Sequence, residues 1–93
     1  MGPQDDAVEI SVAGDLTING IHELHRQVLA ALEYHRPITV RVDQVSAFDL
    51  PGVQLCLALQ RTGAVRGTPV TFSGTATVER FNRMLSYVGL PEV

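Results

Sequence analysis

Residues Ile38–Leu59, "ITVRVDQVSAFDLPGVQLCLAL", decide how this chain folds. Ile38, Val40 and Val42 alternate with Thr39 and Arg41, the period-two pattern of a half-buried strand. A short loop is expected through Asp43 and Ser46 to Asp49. Residues 51–65 then read as a helix that is apolar around most of its circumference, through Val53, Leu55, Cys56, Leu57, Ala58 and Leu59. Such a helix belongs in the middle of a fold. Its start carries three signals. Asp49 can cap the unpaired N–H groups and offset the helix dipole. Pro51 suits the first turn, where its missing N–H costs nothing. Gly52 removes a side chain, so that another backbone or a partner can approach closely. Gly63 and Gly67 are expected to close the helix.

Working outward, "VEISV" (residues 8–12) alternates like a strand, Ala13-Gly14-Asp15 reads as a tight turn, and Leu16-Thr17-Ile18 as a short second strand. Asn19 and Gly20 mark a helix start. Ile21, Leu24, Val28, Ala31 and Leu32 then recur at helical spacing, with Glu23, Arg26, Gln27 and Glu33 on the other face, until Pro37 forbids continuation. After the central helix, "TPVTFSG" is a strand with Val70 and Phe72 on one face. A last helix from about Ala76 to Val88 buries Val78, Phe81, Leu85 and Val88. Gly89 sits where a C-terminal cap belongs, with Leu90 placed to pack back over it. The order β-β-α-β-α-β-α predicts an α/β domain: a small mixed sheet of about four strands, with right-handed crossovers and helices mainly on one face.

The 93 residues make one small domain, residues 1–93, whose residues 1–6 are expected to be a flexible segment. With 45% hydrophobic residues it has material for one core. The net charge is −3 and the arginines are spread from Arg26 to Arg83 without a block, which argues against nucleic acid. No apolar run reaches the roughly 20 residues that cross a bilayer, so direct membrane insertion is not expected. "MGPQDDAVEI" is too acidic for a secretory signal, and Asp6 stands where myristoylation of Gly2 needs a hydroxyl. The lone Cys56 cannot form an internal disulfide, fits a reducing cytoplasm, and reads as a packed apolar residue among leucines.

No chemistry stands out. His22 and His25 are three apart, but neither cysteine nor a carboxylate pattern joins them, so no metal is expected. His35 reads as a solvated loop residue. The sequence contains no phosphate-binding glycine motif, zinc-protease motif or serine elbow. Asp43 and Asp49 flank one loop, yet paired Asp residues there serve turns and caps without a further partner for acid–base work. Neither an enzymatic activity nor a cofactor is expected.

The order of elements and three stretches together resemble the STAS domain, the fold of anti-sigma factor antagonists and related modules. "VAGDLT" (Val12–Thr17) is similar to the family's first turn. "ITVRVDQVSAFDLPGVQL" (Ile38–Leu55) is similar to its central strand, loop and second helix, and "LSYVGL" (Leu85–Leu90) to its closing helix. The resemblance implies a binding module whose Ser or Thr, following an Asp, is phosphorylated by a partner kinase that is also an anti-sigma factor. On that pattern Asp49 matches the acid, Gly52 the glycine and Val53 the leucine. Leu50 stands at the hydroxyl position and has no oxygen to accept a phosphoryl group; Arg41 stands where the family's strand commonly carries Asp.

What the resemblance implies is therefore a non-enzymatic, cytoplasmic protein-interaction module of bacterial partner-switching or chemosensory signalling that docks without the usual switch. Its partner surface would be Ser46 with Asp49, Leu50, Pro51, Gly52, Val53 and Gln54. No phosphorylation is expected there, and Ser46 lies outside the usual site. The partner would be an anti-sigma factor with serine kinase activity. The alternative is a subunit resembling MlaB, seated on the ATPase of a phospholipid ABC transporter.

Overall fold

The computed structural model describes residues 7–18 and 20–93. Its elements alternate as β1 (Val8–Leu16), α1 (Ile21–Leu32), β2 (Ile38–Phe48), α2 (Leu50–Val65), β3 (Val70–Ser73) and α3 (Thr75–Tyr87). β1 and β3 both pair in parallel with β2, which is the central strand. The expected flexible residues 1–6 and the Asn19 helix signal lie outside the described residues.

Among the described residues the sheet has three strands, not about four, and it is parallel rather than mixed. The opening hairpin is one continuous strand. Ser11 pairs with Arg41 but Ala13 with Gln44, and Gly14 pairs with Val45 but Asp15 with Ala47. At each step β2 supplies one residue more than β1, which makes a β-bulge and bends the pair. Gly14, at φ 76°, carries β1 through this irregularity in a conformation that side chains disfavour. The Ala13-Gly14-Asp15 signal is thus a bend and not a reversal, and Leu16 returns to the core, fully buried.

The same bulges explain why the expected loop from Asp43 is also strand. Val42 and Val45 are both buried although three residues apart, so the period-two signature fails where β2 bulges. Ile10, Ile38, Val40, Val42 and Val70 are buried, while Glu9, Ser11, Arg41 and Thr71 on the opposite side are exposed. The helices therefore cover one face of the sheet and leave the other to solvent. On that open face Arg41 reaches Glu9 at 3.6 Å and Asp43 at 3.5 Å.

Each helix buries the stripe its sequence offers. α1 inserts Leu24, Val28, Ala31 and Leu32. α2 inserts Val53, Cys56, Leu57 and Leu59, and it touches α1, α3 and β3, as a nearly all-apolar helix should. Gly63 does not close α2. It lies inside the helix, where a Cβ would overlap the Thr68 carbonyl oxygen and come within 2.6 Å of Val70 Cγ2. α3 buries Phe81 and Leu85 together with Thr77; Val88 falls just past the helix and stays 45% exposed. Gly89 does form the expected cap. Its N–H donates to Ser86 at 3.0 Å and that of Leu90 to Leu85 at 2.8 Å, with Leu90 packed on the core.

Candidate functional site

The start of α2 stands where β2 ends and the chain after β1 passes close by. Asp49 has an extended backbone (φ −130°, ψ 175°), which turns its side chain over the helix end. One carboxylate oxygen, Oδ1, accepts a hydrogen bond from the Gly52 N–H at 2.9 Å. The other, Oδ2, accepts one from the Ile18 N–H at 3.2 Å. A single residue thus caps α2 and ties it to the segment between β1 and α1. Gly52 is buried against the end of β1. A Cβ there would overlap the Leu16 carbonyl oxygen and lie 2.9 Å from its carbon. The close approach for which Gly52 is needed is made by the protein's own β1.

The sequence-predicted residues divide between surface and core. Pro51 and Gln54 are exposed, Asp49 and Leu50 are partly exposed, and Gly52 and Val53 are buried. Val53 is wholly enclosed in the core, so its side chain faces the sheet and not a docking surface. Ser46 is exposed on β2 itself, at the second bulge, and not in a loop.

The fold adds residues that local sequence could not supply. Ile18, 60% exposed, is held at the helix start through its N–H. Phe48 closes β2 with its ring 4.9 Å from that of the buried Phe81, edge to face. The Arg80 guanidinium of α3 lies over the Phe48 ring, 5.1 Å from its centroid. The clue to Arg80 is its place beside Phe81 on the inward stripe of the last helix; the sequence does not show that it meets Phe48.

Burial pushes the Cys56 thiol up to about 12, so the reactive thiolate is scarce at neutral pH. His22, His25 and His35 are exposed, and no group of three or more His, Cys, Asp or Glu side chains among the described residues is placed to hold a metal. Asp43 pairs with Arg41 on the open sheet face, while both oxygens of Asp49 receive backbone N–H groups. These carboxylates have structural tasks. An open hollow of about 420 Å³ beside Val8, Ala30, Tyr34 and Arg36 shares no lining residue with the α2 start.

A parallel three-stranded sheet with three helices on one face, and an acid-capped central helix, is the frame on which the comparison with known proteins bears. A family model described as "Mlab, STAS domain" matches residues 2–93. The chain belongs to the STAS domain family. No curated protein matches it. STAS domains are in general protein-interaction modules. In this STAS domain the first helical residue after the capping acid is Leu50. No helix among the described residues is long and apolar enough to cross a membrane.

Proposed function

We propose that this STAS domain is a non-enzymatic docking module of a bacterial signalling system that binds its protein partner through the start of α2, constitutively and without phosphorylation there. One observation carries the reading: Leu50, partly exposed, occupies the first position of α2 beside a fully engaged Asp49. A phosphoryl group at that place would add nearly two negative charges and break a contact. A leucine there instead offers a permanent apolar one. Ser46, Asp49, Pro51 and Gln54 surround or support it; Gly52 and Val53 act from beneath, by seating the helix.

A second reading has its own support. The family description names Mlab, which supports a subunit role on the ATPase of a phospholipid transporter. Both readings use the same surface, and both place the chain in the cytoplasm. Affinity purification from the native host with the wild-type chain and Leu50→Asp tests them together. A kinase-type anti-sigma factor lost in Leu50→Asp supports the first, and an ABC-type ATPase lost in the same way supports the second. Retention of every partner by Leu50→Asp removes the surface from consideration. Incubation with the captured kinase and ATP should leave the α2 start unmodified; stoichiometric phosphate on Ser46 would restore a switch and sink the constitutive reading.

A further inference from the structure

The chain as a whole carries −3, yet a cation, Arg80, lies over the ring of Phe48, two residues before Leu50. Asp49 is the nearest acid, and its charge is spread over two backbone N–H groups, one of them at the positive end of α2. Among the described residues the ion pairs engage only Arg26 and Arg41, so Arg80 faces none of their carboxylates within 4.0 Å.

Arg80 is also held in place. Its guanidinium lies over Phe48, and Phe48 is braced edge to face by the fully buried Phe81. A guanidinium beside a ring still carries N–H donors that can bind a carboxylate in two-pronged fashion. The ring fixes an otherwise mobile side chain in advance, so less side-chain freedom is lost when a partner arrives. Arginine is, with tryptophan and tyrosine, among the residue types enriched where interface energy concentrates.

Resting on the docking reading above, we infer that Arg80 is part of the same surface and that the partner segment received there is acidic: a carboxylate meets Arg80 while an apolar side chain meets Leu50. Charge complementarity selects this occupant. A basic partner segment would face an unpaired guanidinium at the contact and would be repelled.

The test uses the full chain, labelled with ¹⁵N, and two matched peptides, acetyl-Leu-Glu-Leu-Leu-amide and acetyl-Leu-Gln-Leu-Leu-amide. They differ only in whether the second side chain is a carboxylate or its neutral amide. The expected result is saturable shifts at the Arg80 Nε–H and at the Leu50 and Gly52 amides, with the Glu peptide binding roughly two- to fivefold more tightly, as for an exposed charge pair. Arg80→Gln should erase that preference, Arg80→Lys should keep part of it, and raising the salt concentration should reduce it. Equal binding of the two peptides overturns the inference, as do shifts centred away from Arg80 or no shifts at all. The docking reading is decided separately by Leu50→Asp capture, so loss of the charge preference with capture still dependent on Leu50 fails this inference alone.

Discussion

Gly52→Ala is the perturbation that separates a merely convenient glycine from a required one. By helix propensity alone the change should stabilise α2, by roughly 0.5–1 kcal/mol. The structure predicts the opposite, because the new methyl would overlap the Leu16 carbonyl oxygen and lie 2.9 Å from the carbonyl carbon. A flexible side chain could rotate away; a backbone carbonyl cannot. Relief requires moving the start of α2 away from β1, and overpacking of this kind costs about 1–3 kcal/mol. The same movement stretches the 3.2 Å bond from the Ile18 N–H to Asp49, and a weakened hydrogen bond to a charged group adds about 1–2 kcal/mol. Set against the propensity gain, the net destabilisation is about 1–4.5 kcal/mol. At about 4–8 °C per kcal/mol for a domain of this size, the melting temperature should fall by roughly 4–36 °C. Thermal unfolding followed by circular dichroism reads this directly, with urea titration as an independent scale. Gln54→Ala, exposed on the same helix, is the control and should stay within about 0.5 kcal/mol of wild type. A Gly52→Ala protein with an unchanged or raised melting temperature would refute the close approach of β1 and α2.

Asp49→Ala should cost about 1–2 kcal/mol by urea denaturation, while Asp49→Asn, which keeps an accepting oxygen, should retain most of the cap; equal losses would mean that charge and not capping carries the effect. Cys56 should resist alkylation at pH 8 in the native protein and react fully in denaturant, since burial pushes its thiol up to about 12; native-state labelling at the denatured rate would contradict that enclosure. Hydrogen bonds from Arg26 first, and then Gln27, hold the Glu23 carboxyl down to about 2. With the folded value depressed, the pair's contribution is complete above the unfolded carboxylate range and fades as pH falls through about 2. Glu23 is exposed, so the effect belongs in an NMR titration of its carboxyl carbon: the midpoint should rise in Arg26→Gln, and an unmoved midpoint would disprove the pairing.

The helices were legible because their apolar residues recur at undisturbed spacing, and α2 in particular declared its central place through an apolar surface on nearly every side. The sheet was less legible for a definite reason. Two bulges shift the register between β1 and β2, so Val42 and Val45 both point inward and the second half of β2 loses its alternation. Gly14 reads alike in a turn and in a bent strand, and only pairing to β2 tells them apart. The site showed the same division. Asp49, Pro51 and Gly52 announce a helix start locally. That Val53 is enclosed follows from which side of α2 meets the sheet. Ile18 and Arg80 reach the site from positions 31 residues before Asp49 and on another helix, through contacts that no local pattern encodes.

The double use of the Asp49 carboxylate has a kinetic consequence. Because one side chain joins the helix end to the segment after β1, the surface proposed for docking is tied together within the free chain. Docking as proposed is then expected to be a rigid-body encounter, with no concentration-independent ordering step to slow it. Its association rate should fall in the range set by orientation alone, about 10⁵–10⁷ M⁻¹s⁻¹, so differences between partners would be written in how long each complex lasts.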